Sequence, residues 1–260
     1  MRGVTMLADN REIIIESDVS AIRQAEFDFK SFTFHFQPIF CLKTNKVVMY
    51  EALLRSRQFA SISIEELVID VISSGKSDQL TLLTLEAIRP YVSDPKFNDV
   101  KFTVNLEPAQ VASEGFKRLV NYYFRKFKID MTRVIFEITE RPCSHKMFND
   151  VLVNTNSMTA NGYLFAIDDF GTGVSNFEML CELDVYMIKL DGNFGIKSLH
   201  DINCQKVFKF VSTFNESFGC KVCAEGLETE EHVELARGLG FCFGQGYGLG
   251  MPKVLTGIVE

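Results

Sequence analysis

With 260 residues, 47% of them apolar, the chain can bury a sizeable core, and its length suits one large α/β domain. A net charge of −7 argues against a surface-wide attraction to nucleic acid or anionic lipid, so no DNA or RNA partner is expected. Seven scattered cysteines do not read as a disulfide framework, no apolar run reaches the roughly 18 residues of a membrane span, and no signal-peptide pattern opens the chain, which together point to a reduced, cytoplasmic protein without a membrane span.

Residues 1–30 carry the short apolar knot Ile13-Ile14-Ile15 and then a polar, helix-compatible stretch. They read as a leader segment ahead of a domain spanning 31–260. The sequence leaves open whether the leader packs on that domain or is the remnant of a longer architecture. From Thr33 onward, short β-rich runs alternate with longer helical periodicities. The strand-like runs are Thr33–Ile39, Val47–Leu54, Phe102–Leu106, Val134–Ile138, Leu164–Asp168, Tyr186–Leu190, Lys221–Ala224 and Phe241–Gly244. Helical patterns cover Ile64–Tyr91, Ala112–Lys126, Ser144–Asn161, Asn203–Phe218 and Glu230–Leu239. This alternation predicts a (β/α)₈ barrel, a fold of about 250 residues. One connection departs from the rule: about six residues, Cys41 to Lys46, join the first two strands, too few for a crossover helix, so this pair should be an antiparallel hairpin. The expected fold is α/β, a modified TIM barrel with one antiparallel strand.

From the second onward, each strand brings polar residues to its end: Glu51, Asn105, Glu137, Asp168-Asp169, Lys189, Glu225 and Gln245. In a (β/α)₈ barrel the C-terminal strand ends meet on one rim, where active sites are built. A lone carboxylate there is commonly a loop residue or a helix cap. A whole rim of carboxylates repels itself unless cations intervene. Oxygen ligands without sulfur or histidine suit Mg²⁺ or Mn²⁺ better than zinc, and two such ions can share a carboxylate and clamp a phosphodiester.

Other motifs carry less. Gly244-Gln245-Gly246-Tyr247-Gly248-Leu249-Gly250 lacks the G-x-G-x-x-G spacing and a following βαβ unit, so it is no dinucleotide fingerprint. Cys220 and Cys223 stand three apart at the start of a strand and face opposite sides, as structural thiols do. Gly171-Thr172-Gly173 predicts a tight loop beside the acidic rim, and Ser175 with Glu178 a capping box that ends it.

These residues, taken in order, resemble the EAL-domain cyclic-di-GMP phosphodiesterases. The matching segments are Glu51-Ala52-Leu53-Leu54-Arg55, Val104-Asn105-Leu106, Phe136-Glu137-Ile138-Thr139-Glu140 and Asp168-Asp169-Phe170-Gly171-Thr172-Gly173. They continue with Ile188-Lys189-Leu190-Asp191, Ala224-Glu225-Gly226-Leu227-Glu228-Thr229 and Gln245-Gly246-Tyr247. The resemblance runs from about Phe36 to Pro252. It implies an enzyme that opens cyclic-di-GMP to linear pGpG with two Mg²⁺ or Mn²⁺ ions, and a homodimer. Glu51, Asn105, Glu137, Asp168, Asp169 and Glu225 are the implied metal ligands. Lys189 is the implied partner of the attacking water, and Gln245 orients water or substrate. Arg55 and Gln37 are the implied substrate contacts, with Glu140 and Glu228 as supporting glutamates, Glu140 beside the Asp169–Ser175 loop linked to dimerisation.

The chain also departs from the family pattern. Ser56 stands where a tryptophan is usual, the connection from Gln58 to Ile64 is shortened, Glu107 stands where serine is frequent, and Val174 replaces a tyrosine. These changes are expected to weaken substrate affinity and to leave the metal chemistry intact. Two other functions fit parts of the pattern: a catalytically silent EAL-type receptor or protein-binding adaptor, and a barrel glycosidase using a carboxylate pair. Silent relatives usually lack a ligand, and none is missing here. The glycosidase leaves Asn105, Lys189 and the Asp168-Asp169 doublet unexplained.

Overall fold

The computed structural model describes Phe27 and residues 29–59, 62–139, 141, 143–172 and 176–255. The short Cys41–Lys46 spacing does produce a hairpin. β1 (Phe32–Cys41) and β2 (Lys46–Ser56) pair antiparallel from Phe32↔Ser56 to Cys41↔Lys46. Asn45 in the turn takes a φ of 53°, a left-handed geometry that asparagine tolerates better than most residues.

β3 (Lys101–Leu106), β4 (Val134–Ile138), β5 (Leu164–Phe170), β6 (Met187–Leu190), β7 (Lys221–Ala224) and β8 (Phe243–Gly244) follow, each parallel to its predecessor. β8 then pairs antiparallel with β1, so the sheet closes in sequence order with β1 as its reversed strand. This is the modified TIM barrel expected from the sequence.

Helices cover the outside: α1 (Ile64–Ser73), α2 (Ser77–Val92), α3 (Pro108–Val111), α4 (Glu114–Phe127), α5 (His145–Thr159), α6 (Asn176–Glu182), α7 (Gly192–Lys197), α8 (Ile202–Ser212), α9 (Phe214–Ser217) and α10 (Glu230–Gly238). The periodic stretch Ile64–Tyr91 is two helices, divided at Gly75, whose φ of 78° ends α1. Side chains of Ser63, Ser113, Ser144 and Asp201 accept the first backbone N–H groups of α1, α4, α5 and α8. Two short helices, α3 and α7, were not apparent in the sequence, whereas α6 begins directly after Ser175, the first residue of the helix-start signal read there with Glu178. The capping box read at Ser175 lies outside the described residues, as does most of 1–30.

Two apolar layers hold the barrel. Inside it, Ile39, Met49, Ile135, Ala166, Met187, Cys223 and Phe243 form a plug. Between barrel and helices lies a larger layer that includes Phe102, Phe116, Phe136, Phe165 and Phe208, each fully buried. Truncating one of those rings to alanine costs about 3–5 kcal/mol in typical cores. The seven cysteines are free thiols, with Cys223 inside the barrel and Cys220 in the outer layer. No helix among the described residues is long and apolar enough to cross a membrane.

Candidate metal and substrate site

The acidic rim follows from the period-two alternation of β-strands. Six residues of the interior plug or its continuation mark the inward face: Met49, Thr103, Ile135, Met187, Cys223 and Phe243. Two positions further along each parallel strand, on the same face, stand Glu51, Asn105, Glu137, Lys189, Glu225 and Gln245. Ala166 is followed in the same way by Asp168. β1 runs in the opposite sense, so its inward residue at this level precedes Ile39 by two: it is Gln37. The barrel thus carries an apolar plug with a polar layer directly above it.

Lys189 is the hub of that layer. It is 1% exposed, and its Nζ lies 3.2 Å from Glu51 Oε2, 3.0 Å from Glu137 Oε2, 3.0 Å from Asp168 Oδ1 and 2.9 Å from Glu225 Oε1. An ammonium has three protons, so it cannot serve four carboxylates at once. Asp168 Oδ1, close as it is, has no hydrogen-bond partner.

Two amides complete the layer. Asn105 Nδ2 donates to Glu51 Oε1 at 2.6 Å, and Gln245 Nε2 donates to Glu51 Oε2 at 2.7 Å and to Gln37 Oε1 at 3.1 Å. Gln37 Nε2 in turn donates to Gly250 O. With their N–H groups so committed, Asn105 Oδ1 and Gln245 Oε1 remain buried without a partner, as does Glu137 Oε1. Orphaned buried oxygens are costly. Four in one small volume, all acceptors, call for a cation.

The electrostatics point the same way. Burial and the carboxylate neighbours push Glu137 and Asp168 above the usual carboxylate range. Burial, with Asp168 beside it, raises Asp169 to about 6, and burial lifts Glu225 to about 8 despite Lys189. Burial also opposes the charge on Glu51, but Lys189 and the two amides outweigh it and hold that carboxyl below its ordinary value. For Lys189, burial is likewise overcome by its four acidic neighbours, and the ammonium is held well above its usual range. Five carboxyls therefore crowd one lysine, and all but Glu51 are pushed toward their protonated forms, a strain that divalent cations would relieve. Their oxygens form two overlapping groups, Glu51/Glu137/Asp168 and Asp168/Asp169/Glu225, each within 4.8 Å. Asp168 belongs to both. The oxygen-only donor set and the orphaned acceptors fit a pair of Mg²⁺ or Mn²⁺ ions.

Consecutive residues on a strand normally face opposite sides, yet Asp168 and Asp169 both reach this site. A bulge permits it. The β5–β6 register passes from Ile167↔Ile188 to Phe170↔Leu190, so two aspartates oppose Lys189 alone. Asp169 takes a φ of 52°, a left-handed strain of the kind found at functional sites.

Beside the cluster opens a cleft of about 510 Å³, its wall running from Asp168 and Asp169 past Asn105 to Arg55. Arg55 is half-buried and donates from Nη1 to Leu54 O. Ser56 makes a tight turn, its hydroxyl accepting from Phe59 N. Glu228 is exposed and outside the hydrogen-bonded cluster, and Glu140 lies outside the described residues. The cleft also holds Arg141, which the sequence reading did not single out, with Thr139 and with Glu107, its partner, neither of which that reading gave a role. Only the departure at Glu107 hinted at this pair.

A closed eight-strand barrel with one reversed strand and an acidic, lysine-centred rim defines a narrow class of α/β proteins. The chain belongs to the EAL domain family, whose model matches residues 20–252. It is 27% identical over 225 residues to the probable cyclic di-GMP phosphodiesterase PdeB of Escherichia coli K12, covering 84% of this chain and 42% of PdeB. It is 28% identical over 224 residues to the cyclic di-GMP phosphodiesterase PdeL of the same organism, covering 81% of this chain and 59% of PdeL. The chain thus spans only part of the length of these relatives. Among solved structures, it is similar to the PaMucR phosphodiesterase in complex with c-di-GMP, with a TM-score of 0.80 at 27% identity, covering 91% of this chain and 97% of that one. The FimX EAL domain from Pseudomonas aeruginosa, solved bound to c-di-GMP, shares the fold with a TM-score of 0.76 at 22% identity, covering 91% and 96%.

Proposed function

We propose that this chain is a cytoplasmic phosphodiesterase that hydrolyses cyclic-di-GMP to pGpG with two Mg²⁺ or Mn²⁺ ions and works as a homodimer. Its catalytic domain is residues 31–260, preceded by a leader. The observation that carries the reading is the pair of carboxylate groups sharing Asp168 around one buried lysine. Glu51, Asn105, Glu137, Asp168, Asp169 and Glu225 would hold the ions. When bound, they supply Lewis acidity to the phosphodiester and acidify the water that attacks it.

The protein's own groups do the rest. Lys189 keeps its proton at any physiological pH, so it acts as a fixed positive charge that aligns four carboxylates and stabilises negative charge developing on an attacking oxygen. Gln245 has both N–H groups engaged, so its free Oε1 is the atom that can accept a hydrogen bond from water and orient it. Gln37 anchors Gln245 from the reversed strand, and Arg55 at the cleft wall is suited to a substrate phosphate. The silent-receptor alternative lacks an observation in its favour, since every ligand position is filled by an oxygen donor.

Metal dependence tests the reading. Dialysed protein should hydrolyse cyclic-di-GMP when Mn²⁺ or Mg²⁺ is restored and stop in excess chelator. Full turnover in EDTA would refute it.

A further inference from the structure

Arg141 occupies the cleft wall in an unusual state. Its Nε donates to Glu107, 2.9 Å from Oε1 and 2.7 Å from Oε2. Its Nη2 lies 3.6 Å from Glu65 Oε2, too far for a hydrogen bond. No described residue accepts from either Nη group, so the two amines at the tip of the fork are unspent while the Nε side is clamped. The side chain is 33% exposed, on the wall shared with Asn105 and Asp168.

The clamp is built rather than incidental. Glu107 is 8% exposed, and its backbone N–H donates to Gln110 Oε1 at 3.0 Å. Gln110 Nε2 donates to Thr81 Oγ1 on α2 at 2.9 Å, and both residues are buried. A chain of hydrogen bonds from α2 through α3 therefore holds the backbone of Glu107, the buried residue whose carboxylate clamps Arg141. A preorganised guanidinium loses less side-chain freedom when it meets a ligand.

Its charge narrows the ligand. Glu107 neutralises Arg141 at contact and Glu65 adds a second negative charge nearby, so little net positive field reaches the cleft from this point. That suits a neutral pair of acceptors better than a phosphate. Guanine presents such a pair, O6 and N7, on the edge that arginine forks match best, whereas adenine replaces O6 with an amine that would face the guanidinium donors.

We infer that Arg141 reads the O6/N7 edge of a guanine in this cleft and sets the base preference of the site, with Glu107 as its positioning residue. The inference rests on the cyclic-dinucleotide reading above. Binding measured by calorimetry in the Lys189→Met background with Mn²⁺ keeps the ligand intact and tests the two separately. Cyclic di-GMP and cyclic di-IMP, which keeps O6 and N7, should both bind, and cyclic di-AMP should bind far more weakly. Arg141→Met should reduce affinity for the first two by about ten-fold or more and leave cyclic di-AMP unchanged. Arg141→Lys, which keeps the charge and the stem, should lose much of the same preference because a point charge cannot make the paired contact. Equal losses for all three ligands in both variants would identify a phosphate contact and overturn the inference. Unchanged binding of cyclic di-GMP in folded Arg141→Met would overturn it as well. Protein with Arg141 intact that binds none of the three would contradict the cyclic-dinucleotide reading itself, and the inference with it.

Discussion

Lys189 and the five carboxylates around it set the behaviour of the site at the scale of single residues. Removing the ammonium leaves buried carboxylates without their common counter-charge. Lys189→Met is therefore expected to lower turnover of cyclic-di-GMP by about 100-fold or more while nucleotide binding stays measurable, as comparison of steady-state rates with calorimetry would show. Activity within a few-fold of wild type would remove Lys189 from the mechanism.

The raised carboxyl groups predict a pH dependence of stability. Asp169 titrates near 6 and Glu225 near 8 in the folded, metal-free protein, both above their unfolded values. Between roughly pH 4.5 and 8 the native state thus binds more protons than the unfolded state, so stability falls as pH rises. Lys189 shifts in the same sense, but its window lies above 10; Glu51 shifts in the opposite sense, and its window lies below 4.5. In EDTA, Tm should decline from pH 5 to 8. Saturating Mg²⁺ or Mn²⁺ should reverse the trend, because the metal takes the place of those protons. A metal-free Tm that climbs over this range would contradict the assignment.

Between β7 and α7, packing rather than charge positions a site residue. A Cβ at Gly195 would fall 1.9 Å from Glu225 O, and one at Gly226, whose φ is 67°, would fall 2.2 Å from Gly192 O. Only glycines let the helix approach the strand end that carries Glu225. Gly195→Ala should cost about 1–3 kcal/mol of stability from overpacking. It should also lower turnover by more than that cost explains, since Glu225 must move; thermal unfolding and initial rates on one preparation separate the two. Unaltered turnover would mean that Glu225 is not held by this contact. Much at this scale could be read in advance. The rim was legible because apolar strands with a polar residue at each end, closed into a barrel, converge by geometry alone. The bulge was not, because nothing local in Asp168-Asp169 announces that Asp169 takes a positive φ. Helices α3 and α7 have too few residues for a 3.6-residue periodicity to declare itself. The Arg141–Glu107 pair joins residues from separate loops, and no spacing rule links them.

For the molecule as a whole, barrel closure gathers residues from Gln37 to Gln245 into one volume, so site and fold depend on each other. Self-association belongs to this scale too. The homodimer proposed from the family resemblance should appear in light scattering at twice the chain mass, with Glu140→Ala losing more activity than stability. A fully active monomer would count against it. The central claim, hydrolysis at the lysine-centred acidic rim, is tested most directly by a single-turnover reaction with enzyme in excess over cyclic-di-GMP and Mn²⁺ present, its products resolved by mass. The account predicts conversion to pGpG, heavier than the substrate by one water, and near-complete loss of that conversion in Lys189→Met. Recovery of intact cyclic-di-GMP from wild-type protein that binds it would contradict catalysis and make the chain a receptor.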